Sequence, residues 1–192
     1  MIAPDVLKYG WWLASRASGL VALVLVTVSV GVGLAMAGRV ARRPGLSRTL
    51  MALHEHAALA GLVAIGVHGA TLLMDPWLHP GALGVAVPFT MAYRPVYSGL
   101  GIVGAYLAAF LGLTYYARRR IGVRRWRRLH RASVVVYVLG VVHALGAGTD
   151  ASTTWLRAFL LVTGVPIAAL FARRVTARRP ARARRAVAEA AS

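Results

Sequence analysis

The sequence predicts an all-α integral membrane bundle of five transmembrane helices, with six as the alternative. Three observations carry this prediction. Of 192 residues, 58% are hydrophobic and only 15% charged, where a soluble domain carries about a quarter charged. The apolar residues fall in blocks of about twenty, each long enough to cross a hydrocarbon core of ~30 Å. The basic residues, which give a net charge of +18, gather in short segments that abut those blocks.

The first span covers about 11–36 and opens on Trp11 and Trp12, residues suited to a membrane interface. The N-terminal MIAPDVLKYG lacks a positive n-region and a cleavage signal, so this block is expected to stay as a membrane helix. The second span is about 49–73. The third, about 96–117, closes on Tyr115 and Tyr116, and the fourth is about 129–147. The fifth is about 154–172, with a kink expected at Pro166. Residues 1–175 form the membrane domain, and 176–192 read as a basic, disordered cytoplasmic tail. The loop from Met74 to Pro95 holds four prolines and is apolar enough to lie along the membrane surface as a cap.

Nineteen of the 23 basic residues lie in three segments: Arg39–Arg48, Arg118–Arg131 and Arg173–Arg185. The positive-inside rule puts these in the cytoplasm. The N-terminus is then outside and the C-terminus inside a cytoplasmic membrane, and the second and fourth spans run in the same direction. Such a distribution indicates lipid, not nucleic acid, as the partner of the basic runs. The chain has no cysteine, which excludes disulfides, zinc–thiolate sites and iron–sulfur clusters. No nucleophile–base constellation suggests hydrolysis.

Histidines carry the chemical signal. His54 and His68 lie fourteen apart in the second span; His130 and His143 lie thirteen apart in the fourth. At 1.5 Å rise per residue these steps are ~21 Å and ~20 Å. Parallel helices with matched steps set His54 opposite His130 near the cytoplasmic side, and His68 opposite His143 near the outer side. Imidazoles from two helices suit a six-coordinate haem iron wedged between them. Intramembrane ionisable groups are functional by default, although histidines bonded to backbone or hydroxyls would give the same composition. Helical phase favours His54 over His56: fourteen residues fall only ~40° short of whole turns, whereas His56 to His68 is ~120° out. His130 to His143 is ~140° short, which is poor for a straight helix; either the fourth span is locally tightened or tilted, or its haems sit at different azimuths.

Other residues have two readings each. Arg16, in the outer part of the first span, either pairs with a haem propionate or snorkels to headgroups. Arg131 and Arg128 are candidates for inner propionates within a run of arginines. Glu55 is expected to snorkel or pair with arginine in preference to moving protons. Asp150 is expected to cap the fifth span, with donor binding as its alternative, and His79 reads as an ordinary loop residue, with binding of a metal substrate as its alternative. Gly61, Gly66, Gly69 and Gly140 admit close approach of a helix or a haem face.

WRRLHRAS at 126–133, VHALGAGTD at 142–150, SRASGLVALVL at 15–25 and the PWLHPG…VPF…YRP loop, together with the fourteen and thirteen spacings, resemble the ferric reductase-like transmembrane domain family. That family includes the membrane parts of ferric reductases and NADPH oxidases, and the haem subunit of the bacterial methionine sulfoxide reductase system. The resemblance is to a stand-alone, actinobacterial-type member and spans roughly 10–175. It implies two haem b, with His54 and His130 as axial ligands of the inner one and His68 and His143 of the outer. Larger relatives have six spans and a flavin and nicotinamide domain; here no glycine-rich dinucleotide fingerprint is present. VPFT at 87–90 echoes a flavin motif only faintly, lies on the outer side and lacks the leading histidine. The expected function is therefore an oxidoreductase component: a di-haem cytochrome passing electrons from a cytoplasmic flavin reductase or a quinol to ferric iron, oxygen or an extracytoplasmic redox partner. The alternative is a haem-free transporter or accessory subunit whose histidines handle protons or a metal.

Overall fold

The structure, a computed structural model, describes residues 4–38 and 45–176. Arg39, Arg42, Arg43 and all of the basic tail beyond Thr176 lie outside the described residues. Among the described residues there is no strand. The elements are α1 (Pro4–Ala37), α2 (Leu46–Leu73), α3 (Gly81–Ala86), α4 (Pro95–Tyr116), α5 (Arg118–Ile121), α6 (Val123–Leu129), a 3-10 turn (His130–Ala132), α7 (Ser133–Ala147) and α8 (Thr154–Thr176). Five stretches are long and apolar enough to cross a membrane: Tyr9–Ala37, Leu46–Leu73, Pro95–Tyr116, Val123–Ala147 and Thr154–Thr176. The chain is a multi-pass membrane protein, with five spans among the described residues.

Helix boundaries follow local chemistry. Gly45, at φ 85°, admits the turn into α2. Pro95 stands at the start of α4, where a missing N–H costs nothing. Gly122, at φ 89°, splits the arginine-rich stretch into α5 and α6. α8 continues as one helix through Pro166.

Polarity is reversed relative to a soluble bundle. Val162, Leu161 and Leu113 are 72%, 66% and 66% exposed, while Ser15, Ser29, Ser98 and Thr114 are buried. Lipid solvates the aliphatic faces, and the small polar residues serve the helix contacts. α1 packs antiparallel along α2, α4 packs along α7, and α1 also meets α7 and α8. Val30, Leu34, Tyr137 and Ile167 form the core where α1, α7 and α8 join.

The bundle has a basic end, carrying Arg118–Arg131, and a loop end, carrying residues 74–94. At the loop end the buried Asp75 accepts the N–H groups of Trp77 (2.8 Å) and Leu78 (3.2 Å) through Oδ1. Thr90 Oγ1 donates to the carbonyls of Leu83 and Val87, each at 2.9 Å. The Tyr106 hydroxyl donates to the Ala86 carbonyl. These bonds fold the loop into a lid over the cavity described next. Phe89, in the VPFT stretch, sits with φ 68° and its ring against Gly99.

Candidate functional site

Two pairs of histidines meet across the bundle. His54 on α2 and His130 in the 3-10 turn have ring centroids 5.8 Å apart and an interplanar angle of 87°. His68 on α2 and His143 on α7 are 6.1 Å apart at 74°. The matched depths expected from the spacing are thus realised. The 3-10 turn eases the phase problem of the fourth span. Each of its three residues turns ~120° where an α-helical residue turns ~100°, which recovers about 60° of the ~140° shortfall.

Backbone carbonyls orient three of the four rings. His54 Nδ1 donates to the Ser29 carbonyl at 2.8 Å, His68 Nδ1 to the Ser15 carbonyl at 2.8 Å, and His143 Nδ1 to the Tyr97 carbonyl at 2.9 Å. A carbonyl can only accept, so the proton of each neutral ring sits on Nδ1 and Nε2 is a bare lone pair. Such a bond to the far nitrogen fixes the ring and raises the basicity of the ligating one. The hydroxyls of Ser15 and Ser29 lie within 3.2 and 3.1 Å of the same Nδ1 atoms.

Glycine makes each of these bonds reachable. A helical side chain covers the turn preceding it, so residue i+4 overlies the carbonyl of residue i. Gly19 follows Ser15 by four, Gly33 follows Ser29 by four, and Gly101 follows Tyr97 by four. A Cβ would come within 3.0 Å of His68 at Gly19, 3.2 Å of His54 at Gly33 and 2.5 Å of His143 at Gly101. The Ser-x-x-x-Gly unit therefore occurs twice on α1, at 15–19 and 29–33, with the same fourteen-residue period as His54 and His68. Sequence reasoning missed Ser15, Ser29, Gly19, Gly33 and Gly101, and this repeat was the signal for the four on α1. Gly101→Ala is expected to break the His143–Tyr97 bond and turn the ring, whereas Gly10→Ala, with nothing within 4 Å, is silent. Histidine ring NMR shifts or haem retention in the purified variants would check this.

A cavity of about 370 Å³ opens beside the loop-end pair, a size ordinary for an organic ligand site. His68, His143, Gly19, Gly101 and Gly140 line it, and Trp77 and Val85 of the loop close it. Nothing lies within 4 Å of where a Cβ at Gly140 would stand. Haem fits these features. Two metal–imidazole bonds of about 2 Å, plus half a ring on each side, put ligand centroids about 6.3 Å apart, close to both observed separations. Among the described residues no three His, Asp or Glu side chains converge. Each facing pair offers two donors, and a porphyrin supplies the other four ligands of a six-coordinate iron.

A family model described as ferric reductase like transmembrane component matches residues 18–141. The chain belongs to this family. The match runs from α1 into α7, takes in His54, His68 and His130, and stops two residues before His143. Ferric reductase-like domains generally bind haem. No curated protein matches the chain, and neither does any solved structure.

Other expectations fare differently within this ferric reductase-like domain. His56 bonds through Nδ1 to its own helix, at the Ala52 carbonyl (2.7 Å), and is exposed. Arg16 lines the cavity, but its guanidinium is held by Asp150: Nε donates to Oδ2 at 2.7 Å and Nη2 to Oδ1. It also lies over Trp12 at 5.3 Å. Neither propionate nor headgroup was needed to satisfy it, because a carboxylate 134 residues away folds back onto it. Asp150 consequently does not cap α8. Its side chain is committed to Arg16, and only its backbone carbonyl receives Thr153, from N at 2.9 Å and Oγ1 at 2.6 Å. Arg131, Arg128 and Glu55 are exposed. His79 is a loop residue at φ 41° whose Nδ1 lies 3.4 Å from the Trp77 carbonyl.

Proposed function

We propose that the protein is a di-haem b-type cytochrome of the cytoplasmic membrane. It carries electrons from a cytoplasmic flavoprotein or a quinol to an extracytoplasmic acceptor such as ferric iron, oxygen or a reductase partner. One observation carries this reading: facing imidazoles recur at two depths, three of the four with Nδ1–H engaged and Nε2 left to ligate. Membership of the ferric reductase-like family supports it.

When bound, haem iron supplies the one-electron couple. The chain supplies the rest. His54 and His130 would hold the haem toward the cytoplasm, and His68 and His143 the one toward the outside. The carbonyls of Ser29, Ser15 and Tyr97 hold three of these rings in a ligating orientation. The fourteen-residue step on α2 separates the two levels by ~21 Å along the helix, and the aliphatic sheath keeps water and counter-ions from the interval between them. The basic end faces the cytoplasm by the positive-inside rule, with the N-terminus outside and the C-terminus inside.

Vesicles containing the purified protein, loaded with ferricyanide and exposed to external dithionite, test this directly. Ferricyanide inside is expected to be reduced only when haem-loaded protein is present. Reduction no faster than in protein-free vesicles contradicts the proposal.

A further inference from the structure

Three of the facing imidazoles are oriented by a carbonyl beside a glycine; His130 is not. Thirteen residues along α4 from Tyr97 and Gly101, where the step from His143 to His130 would repeat the arrangement, the chain has Phe110 and Thr114. Thr114 is buried and its hydroxyl is spent on the Leu111 carbonyl, at 2.7 Å. No hydrogen bond to either nitrogen of His130 is made among the described residues. Its ring lies instead against Trp126, with centroids 5.1 Å apart and planes within 25°.

Trp126 is itself firmly held. Tyr115 meets it edge-on at 5.9 Å, and the Arg118 guanidinium covers Tyr115 at 3.9 Å while donating to its carbonyl at 2.8 Å. The Trp126 backbone N–H donates to Gly122 at 3.0 Å. Yet the indole Nε1–H is buried and has no acceptor among the described residues. An indole has one donor and no alternative geometry for it, and buried donors are ordinarily paired. A group bound beside His130 would supply that acceptor. On a haem, the hydrogen-bond acceptors of the periphery are the two propionate carboxylates.

We propose that Trp126 is a haem-binding residue of the His54–His130 site: its face fixes the plane of the His130 ring, and its Nε1–H donates to a propionate. This rests on the di-haem reading above. It gives the cytoplasmic site a propionate partner within the WRRLHR stretch other than the exposed Arg128 and Arg131. It also makes the two sites chemically unlike, one with both ligands tied to backbone carbonyls and one with a ligand held by an aromatic face.

The test compares the full-length protein with Trp126→Phe, which keeps a ring and removes the donor, and Trp126→His, which keeps a ring and an N–H. Trp126→Leu removes both. The measurements are the midpoint of each haem by spectroelectrochemical titration and the rate of haem transfer to apomyoglobin. His130→Ala assigns which signal is cytoplasmic. Trp126→Phe is expected to lose the cytoplasmic haem about tenfold faster, equal to about 1.4 kcal/mol. It should also lower that haem's midpoint, since a carboxylate without its donor favours the ferric form; the outer haem serves as the folding control and is unchanged. Trp126→His recovers both values in part. Two haems with wild-type midpoints and loss rates in Trp126→Phe overturn this proposal alone, and so does an effect seen only in Trp126→Leu. An unsubstituted chain that binds no haem overturns it together with the function it rests on.

Discussion

His68→Ala is expected to leave a folded protein that binds one haem where the parent binds two. The ring is joined to the bundle by its Nδ1 bond to Ser15 and its approach to Gly19, and Ser15 keeps its place in α1 without it. Loss of the ring therefore removes an iron ligand and little helix packing. His143→Ala is expected to have the same result, since both line one cavity. His56→Ala, which removes an exposed ring bonded to its own helix, should retain both haems. Haem-to-protein ratios of the three purified variants check this. Equal loss from His56→Ala would mean that the wrong face of α2 has been assigned.

Gly140→Leu should abolish the loop-end haem while sparing the fold. A Cβ at this position meets nothing within 4 Å, and the residue lines the cavity shared by His68 and His143. A leucine there clashes with no neighbouring side chain at its Cβ and would occupy the volume that a macrocycle needs. Gly66→Leu is the control: its Cβ is equally unobstructed, but the residue is exposed on α2 and outside the cavity. The expected outcome is one haem per chain in Gly140→Leu and two in Gly66→Leu, with equal helical content by circular dichroism. This contrast separates blocked binding from damaged ligands, because neither substitution touches a histidine.

Most of the bundle was legible in the sequence because membrane solvation imposes one rule on every span: the backbone must satisfy itself, and the side chains must suit lipid. The five apolar blocks accordingly coincide with the five helices to within a few residues, apart from the fourth. That span begins earlier, at Val123, because α6 is an arginine-rich helix that apolar counting does not register. The pairing of the histidines followed from spacing and direction alone. The phase of His130 did not, since a single 3-10 turn alters it and leaves no mark in hydropathy.

What escaped the sequence was the support of the rings. Ser15 and Ser29 look like ordinary small residues of a membrane helix, and their function depends on carbonyls that every residue has. Only the glycine four residues on, at Gly19 and Gly33, distinguishes them, and only its period links them to α2. The Arg16–Asp150 pair was hidden for another reason. It joins the first span to the approach of the fifth, and a lone intramembrane arginine has several chemically equivalent partners until the fold selects one.

The central claim is that two imidazole pairs hold two haems. Purified protein assayed by pyridine haemochrome against amino-acid analysis tests it most directly. The account predicts two b-type haems per chain, low-spin in both oxidation states. A colourless protein, or a single haem that survives both His54→Ala and His68→Ala, would contradict it.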